Sequence, residues 1–334
     1  MSVLPSNDGP LPLSSLPRAL RIVFARGGPA DAERAMQDWL DRLAAEAAGK
    51  IAILSGDPAS QPFLPAFSPQ AEDDPPLVHY HFVPKGREEE PFREWIWHLA
   101  KAKPPAPSEK DRDRATGQRP AEVLLFVSPH CPNCPSAVRM VSAFALETGL
   151  MTVHLLDAFE RPELAEQYRV RSVPTLLIER HLPVVGVPDR KQLLALLQKD
   201  RPAKVLQDQV LSLIHSGHVS EAAGILAAGL DPSFLAQGFQ NPTFHEKLAL
   251  LTTLEEALEI SPSCLDSLAD RLVPLLSSEQ APLRGDLADL LGKIGNISAL
   301  PALEALCQDP DPDVAEAAQE ACSLIRAKAR DVEA

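Results

Sequence analysis

Hydrophobic and polar positions follow two different periods along residues 18–101. Short apolar runs predict β-strands, and longer segments with apolar side chains three and four positions apart predict helices. Residues 30–48 place Met36, Leu40 and Leu43 on one helical face. The predicted strands are 21–24, 51–54, 63–67 and 77–82, and the predicted helices are 30–48 and 91–100. The order β-α-β-β-β-α, which contains no cysteine, predicts a first α/β domain, the cysteine-free domain.

The same alternation returns in residues 121–200. The predicted strands are 123–127, 152–156, 175–179 and 184–185, and the predicted helices are 135–146, 162–168 and 190–199. This order predicts a mixed sheet with helices on its faces. Between the two domains, residues 102–120 are rich in proline and charge and predict a linker or an exposed crossover.

From residue 203 onward the strand pattern disappears and only helical spacing remains. The predicted helices are 204–215, 219–229, 244–258, 264–276, 282–294, 299–307 and 313–326. Residues 266–296 repeat the layout of the last two helices, and a helical-hairpin period of roughly 30–40 residues is typical of an α-solenoid. We therefore predict an all-α domain over residues 203–330.

Composition narrows the class of partner and the compartment. The chain of 334 residues has a net charge of −14, and residues 201–334 alone carry 20 Asp and Glu against 9 Lys and Arg. This acidity argues against nucleic acid as a partner. No apolar run approaches the ~18 residues of a membrane span, and residues 1–17 predict a disordered lead rather than a signal peptide. Five sparse cysteines favour a reducing, cytoplasmic setting.

Two of those cysteines form the motif Cys131-Pro132-Asn133-Cys134 at a predicted strand-to-helix junction, which gives the CPNC domain (residues 121–200) its name. Unpaired N–H groups and the positive end of the helix dipole stabilise a thiolate at such a position. A thiolate attacks a disulfide, and a second thiol one turn further on can resolve the mixed disulfide. The motif therefore favours dithiol–disulfide exchange.

Other interpretations of these cysteines stay open. Half of a zinc site is one, although zinc usually takes four ligands and no second Cys-x-x-Cys exists; a degenerate, inactive pair is another. His130 could tune the cysteines or be a solvated loop residue. Leu125, six residues before Cys131, is apolar, so no proton-transfer carboxylate is present there, although Glu122 could substitute. Asp157 is predicted to cap the next helix.

The remaining cysteines, Cys264, Cys307 and Cys322, lie on apolar helical faces. We predict buried, inert thiols there. A disulfide between Cys307 and Cys322 across a helical hairpin is the less favoured alternative.

The segment AEVLLFVSPHCPNCPSAVRMVSAFA, with Pro135 and the later Arg171-Ser172-Val173-Pro174-Thr175, resembles the thioredoxin superfamily. It is similar to the tandem thioredoxin-fold protein disulfide oxidoreductases and to the N-terminal domain of the flavoprotein subunit of alkyl hydroperoxide reductase. The resemblance implies that Cys131 is the nucleophile and Cys134 the resolving thiol. It also implies a cis bond at Val173-Pro174, beside which Val173, Pro174 and Thr175 bind the substrate chain.

The resemblance extends to the other two domains. Both families place a cysteine-free thioredoxin-like domain before the active one, and Leu64-Pro65-Ala66-Phe67 stands where its cis-proline turn is expected. Residues 203–330 resemble HEAT repeats, most clearly at 298–326. The expected fold is therefore an α/β tandem thioredoxin-like fold followed by an all-α HEAT-like α-solenoid. No G-x-G-x-x-G fingerprint occurs, so we expect neither a flavin nor a nicotinamide cofactor, and we expect no metal.

Together these features predict a cytoplasmic thiol–disulfide oxidoreductase that acts on protein disulfides. Its expected partners are those substrates and a flavin-reductase-like or thioredoxin-reductase-like protein, and the helical domain is expected to select the partner. A redox-gated adaptor without turnover is an alternative, as is an electron relay from a flavin reductase to a peroxiredoxin.

Overall fold

The computed structural model describes residues 12–71, 74–101 and 120–333. The chain divides at residue 201 into two compact bodies. Residues 102–119 of the predicted linker and residues 1–11 of the predicted lead lie outside the described residues. The prediction of a disordered lead is wrong for residues 12–17. Leu13–Ser15 form a 3-10 turn there, and both Leu13 and Leu16 are buried. Their apolar side chains pack into the core despite the surrounding prolines and serines.

The N-terminal body contains both α/β domains. The cysteine-free domain comprises β1 (Leu20–Ala25), α1 (Ala30–Glu46), β2 (Ile51–Ser55), β3 (Ala66–Gln70), β4 (Val78–Tyr80) and α2 (Glu89–Lys101). The CPNC domain comprises β5 (Ala121–Val127), α3 (Cys134–Thr148), β6 (Met151–Asp157), α4 (Pro162–Gln167), β7 (Thr175–Ile178), β8 (Leu182–Val185) and α5 (Arg190–Leu196). The predicted order of elements is confirmed in both domains.

One strand of the cysteine-free domain is displaced from its prediction. The prediction put a strand at 63–67, but β3 begins only at Ala66 and runs to Gln70. A cis bond at Leu64-Pro65 places the preceding residues in a turn, so the extended segment starts after it. The cis-proline turn that the resemblance implied for this domain is thereby confirmed.

The two domains share a single eight-stranded sheet with the order β2-β1-β3-β4-β6-β5-β7-β8. The domains join where β4 pairs in parallel with β6, with Val78 opposite Val153, His79 opposite His154 and Tyr80 opposite Leu155. All three residues of β4 are buried, which is typical of a strand inside a parallel sheet. The sequence left the packing of the two domains open, and this pairing determines it.

Three buried histidines line this join between β4 and β6. The rings of His79 and His154 stack with centroids 4.7 Å apart, and His81 Nε2 lies 2.9 Å from His154 Nδ1. Burial lowers the pKa of His79 to about 3 and that of His154 to about 4. The histidines are therefore neutral near pH 7, and they add no buried positive charge to the join.

Strand direction decides where the functional loops meet. β3 and β7 run opposite to the other six strands, so the carboxyl ends of β1, β2, β4, β5, β6 and β8 lie at one edge of the sheet. The loops that follow those strands, including the one with Cys131, therefore lie along this edge, which we call the carboxyl edge.

All the regular elements described in the C-terminal body are helices. Its helices are α6 (Ala203–His215), α7 (Val219–Ala227), α8 (Phe244–Ile260), α9 (Asp266–Leu272), α10 (Ala281–Ile294), α11 (Leu300–Leu306) and α12 (Pro312–Glu333). The all-α prediction is confirmed, whereas the HEAT-like solenoid stays a prediction. The predicted helix 264–276 is shorter, because Pro274 turns its end into a 3-10 segment, Val273–Ser277. Among the described helices, none is long and apolar enough to cross a membrane.

Backbone packing, not only the lack of cysteine, distinguishes the cysteine-free domain. Gly28, after β1, has a φ of 78°, and a Cβ atom there would lie 2.3 Å from the carbonyl oxygen of Leu64. In the CPNC domain the corresponding position beside the cis proline holds the sulfur of Cys131, which is 3.5 Å from the carbonyl oxygen of Val173. The cysteine-free domain therefore leaves no room for a side chain at position 28, beside its cis proline.

We expect Gly28→Ala to lower the free energy of unfolding by at least about 2 kcal/mol, because it combines a left-handed backbone with a clash against backbone atoms. Gly49→Ala is the matched control, since Gly49 has a φ of 84° but no atom within 4 Å of its Cβ position. The control should cost only about 1 kcal/mol. Urea unfolding of both variants measures the difference, and equal costs would show that the contact with Leu64 is not tight.

Candidate functional site

Cys131 and Cys134 lie where the sequence predicts, between a buried strand and a helix. β5 ends at Val127, and the amide N–H of Cys131 donates to the carbonyl of Ser128 at 3.1 Å, which closes the turn. Cys134 is the first residue of α3, and Pro135 follows it, as is common in a first helical turn. Cys131 is 9% exposed and Cys134 fully buried, so a disulfide partner reaches Cys131 first.

The sulfur of Cys131 makes two polar contacts, of which the one with an amide N–H suits a nucleophile. It accepts a hydrogen bond from the amide N–H of Cys134 at 3.1 Å and lies 3.5 Å from the carbonyl oxygen of Val173. The amide belongs to the first turn of α3, where N–H groups and the helix dipole stabilise negative charge. Charge that develops on this sulfur is therefore stabilised by the helix that carries the second cysteine.

The turn opposite Cys131 contains the predicted cis bond between Val173 and Pro174. The hydroxyl of Thr175 donates to the carbonyl of Ser172 at 2.7 Å, and the amide of Gly186 donates to the carbonyl of Pro174 at 2.8 Å. Thr175 is fully buried, so its side chain holds this turn in shape from within. Val173 borders Cys131 directly, whereas Thr175 lies behind it.

Cys134 needs help to lose its proton. Burial raises the pKa of the Cys134 thiol far above its ordinary value of 9, and the hydrogen bond with Cys131 raises it further. The charge of Cys131 and that of Glu88 act in the same direction, and a backbone hydrogen bond at Ser128 opposes them. Loss of the Cys134 proton near neutral pH therefore calls for a nearby proton acceptor.

Glu88 is a buried carboxyl that the sequence analysis missed. It belongs to the cysteine-free domain, where Gly86–Glu88 form a 3-10 turn that packs on Pro129: the amide of Arg87 donates to the carbonyl of Pro129 at 3.2 Å. Glu88 is 2% exposed, and its Oε1 has no hydrogen-bond partner among the described residues. Burial and the nearby charge of Asp157 raise the pKa of Glu88 to about 7, against the effect of Arg139.

Glu122 does not take the role that the sequence suggested. It pairs with Arg180, whose Nη2 lies 2.6 Å from Glu122 Oε1, and it is the second residue of β5. Val127 lies five positions further along the extended strand, a span of roughly 17 Å. Glu122 therefore lies at the opposite end of the strand from Cys131, and this part of the prediction is wrong.

The other predicted neighbours divide into two cases. His130 is exposed directly beside Cys131, and its tuning role stays a prediction. Asp157 is buried and its Oδ1 accepts hydrogen bonds from the amides of Phe159 and Glu160, at 2.8 and 3.3 Å. It thus caps the turn that follows β6, while Arg161 occupies the N-cap of α4. Within the described ranges, no three His, Cys, Asp or Glu side chains are placed to hold a metal ion.

The CPNC domain is similar in sequence to known thioredoxin domains. The family model for the thioredoxin domain matches residues 121–198. A thioredoxin of Methanocaldococcus jannaschii is 33% identical over 79 residues, which is 23% of this chain and 93% of the relative. A probable thioredoxin of Archaeoglobus fulgidus is 38% identical over 76 residues, 22% of this chain and 84% of the relative.

Solved structures resemble a longer part of the chain. One is the N-terminal domain of the alkylhydroperoxide reductase AhpF from Enterococcus faecalis, with a TM-score of 0.46 and 17% sequence identity. The alignment covers 55% of this chain and 95% of the AhpF chain. A protein disulfide oxidoreductase from Aeropyrum pernix K1 has the same TM-score and identity and covers 57% of this chain and 88% of its own.

We expect Glu88→Gln to change how stability depends on pH. The folded-state pKa of about 7 exceeds the ordinary value of 4.5, so the stability contributed by the protonated carboxyl is fully present below about pH 4.5 and is lost as pH rises through about 7. The stability of the variant relative to the native chain should therefore increase from pH 4 to pH 8, by up to about 3 kcal/mol. Urea unfolding of the reduced proteins measures this, with Glu89→Gln, an exposed neighbour, as control. If the stability of the native chain and that of Glu88→Gln depended on pH in the same way, the raised pKa of Glu88 would be contradicted.

Proposed function

Because the chain belongs to the thioredoxin family through residues 121–198, we propose that it is a thiol–disulfide oxidoreductase whose substrates are protein disulfides. The family supports thiol–disulfide chemistry in general, and the restriction to protein substrates is our inference. The observation that carries it is the position of the Cys131 sulfur, between the amide of Cys134 and the carbonyl of Val173.

The reaction proceeds in two exchanges. The Cys131 thiolate attacks one sulfur of the substrate disulfide, forms a mixed disulfide and releases one substrate thiolate. Cys134 then loses its proton and attacks the Cys131 sulfur, which releases the second substrate thiolate and leaves a Cys131–Cys134 disulfide. Glu88, buried nearby with an unpaired oxygen, is the acceptor we assign to the Cys134 proton. Two electrons pass from the enzyme dithiol to the substrate.

Protein substrates fit this site because of the turn at Val173-Pro174. Extended peptides bind to exposed backbone by adding a strand, and the backbone next to the cis proline borders Cys131 directly. Supply of electrons by a flavin-reductase-like or thioredoxin-reductase-like protein, partner selection by the helical domain and a cytoplasmic location remain predictions.

Trapping of mixed disulfides tests the proposal. Cys134→Ser should retain a substrate protein on Cys131, because the resolving thiol is gone, and Cys131→Ser should trap none and lose insulin-disulfide reduction. Gel electrophoresis without reductant, followed by mass spectrometry of the bound proteins, measures both. Wild-type insulin reduction by Cys131→Ser would overturn the mechanism. Recovery of no disulfide-linked protein from Cys134→Ser would favour the adaptor, which changes affinity without turnover.

Two exposed apolar side chains flank Cys131 along the carboxyl edge. Phe159 follows β6, the strand next to β5, and is 73% exposed; Val187 follows β8 on the other side and is 44% exposed. The turn of Phe159 is fixed by Asp157, and that of Val187 by the bond between Gly186 and Pro174. An extended chain that lies across the strand ends at Cys131 would contact both.

We expect Phe159→Ala to lower kcat/KM for insulin reduction roughly fivefold, since partial burial of a phenylalanine contributes about 1 kcal/mol. The rate with hydroxyethyl disulfide, which has no peptide chain, should stay unchanged. Leu54→Ala is the control, because Leu54 is 41% exposed on β2 at the far end of the sheet. An equal loss with both substrates would mean that Phe159 supports the site rather than binding the chain.

A further inference from the structure

The last two helices bring a second pair of cysteines together. α11 and α12 are joined by a short turn, with Cys307 directly after α11 and Cys322 inside α12. Cys307 lies close enough to Cys322 to raise the pKa of its thiol. Both are free thiols.

An ion pair across the same hairpin independently shows that these positions face each other. Arg326 Nη2 lies 2.6 Å from Glu304 Oε1. Glu304 precedes Cys307 by three residues, and Arg326 follows Cys322 by four, so each lies on the same helical face as its cysteine. Two pairs in the same antiparallel register therefore connect α11 to α12.

The turn between the helices is held in place from outside the hairpin. Asp309 accepts two hydrogen bonds from Arg284 of α10, at 2.7 and 2.8 Å. Its Oδ1 also accepts the amide N–H of Asp311 at 2.9 Å. The two thiols are thus pre-positioned by contacts that do not involve sulfur.

We propose that Cys307 and Cys322 are a second dithiol–disulfide pair, which a disulfide oxidant converts into a cross-link between α11 and α12. The inference does not depend on the proposed activity of Cys131. In the first step the Cys307 thiolate attacks the oxidant disulfide, forms a mixed disulfide and releases one thiolate. In the second, the Cys322 thiolate attacks the Cys307 sulfur and releases the other thiolate. The pair loses two electrons and two protons, and the oxidant becomes two thiols.

Exposure determines the order of the two steps. Cys307 is half-buried, with its thiol directed at the carbonyl oxygen of Leu303 at 3.3 Å, whereas Cys322 is only 3% exposed. Burial and the neighbouring Cys307 raise the pKa of Cys322 to about 11, although Arg326 acts in the opposite direction. Oxidation should therefore start at Cys307, and its second step should become faster as pH rises above neutrality.

The cross-link would affect more than one hairpin. α12 also packs on α10 at a close backbone approach, because a Cβ at Gly292 would lie 2.7 Å from the Cα of Ala321, the residue before Cys322. A bond at Cys322 therefore fastens the helix that already contacts both α10 and α11. Oxidation would stabilise this end of the C-terminal body.

The test uses the full chain, reduced and then treated with glutathione disulfide. Trypsin leaves both cysteines in one peptide, since no Lys or Arg lies between them, so cleavage before Asp309, Asp311 or Asp313 is used instead. We expect linked peptides that separate on reduction, with Cys264 still free to alkylation. The oxidised chain should also unfold at a higher temperature than the reduced one. The Cys131→Ser/Cys134→Ser variant distinguishes two oxidants. Oxidation of the second pair by glutathione disulfide persists in this variant, whereas oxidation by the Cys131–Cys134 disulfide is absent from it.

Single variants test the order of attack. In the Cys322→Ser variant, glutathione should accumulate on Cys307. In the Cys307→Ser variant, glutathione should react with Cys322 at least tenfold more slowly than it reacts with Cys307 in the first variant. Cys264→Ser, the matched control, should form the cross-link at the native rate. Cys322→Ala repeats the test with an apolar side chain in case the buried serine impairs folding, which circular dichroism detects. Absence of linked peptides from the folded native chain, or a link from either cysteine to Cys264, would overturn the proposal.

Discussion

The parallel pairing of β4 with β6 is the interaction on which the rest of the N-terminal body depends. It uses only three residue pairs, yet it turns two four-stranded sheets into one and aligns their carboxyl edges. The turn after β4 consequently packs on Pro129, and Glu88 becomes buried near the second cysteine of a different domain. The stacked histidines can occupy this join because burial keeps them neutral.

The site therefore draws its parts from both domains. The CPNC domain contributes the two thiols, the helix N-terminus and the cis-proline turn, all of which are close in sequence or belong to adjacent strands. The cysteine-free domain contributes the one titratable group that is buried, unpaired and near Cys134 among the described residues. Leu125 carries no carboxyl, and the buried Glu88 carboxyl near Cys134 belongs to the cysteine-free domain.

Local patterns predicted the parts of this structure that local physics determines. The strand-to-helix junction at Cys131 follows from periodicity and spacing, and the cis bond between Val173 and Pro174 follows from the family resemblance. The β4–β6 pairing was not predictable in the same way. Strands pair through backbone hydrogen bonds, and these do not depend on residue types that the sequence of either strand would show. Glu88 shows the same limit: it lies in the run Glu88-Glu89-Glu90, where only the fold decides that the first is buried and its neighbours are exposed.

The close approach of Gly28 to Leu64 makes the difference between the two domains hard to reverse. The loop after β1 has four residues before its helix, whereas the loop after β5 has six. In a cysteine at position 28, the Cβ atom alone would already clash with the carbonyl oxygen of Leu64. A side chain at Gly28 therefore requires the backbone of this loop or of the Leu64-Pro65 turn to move, so the two domains differ in backbone as well as in residue type.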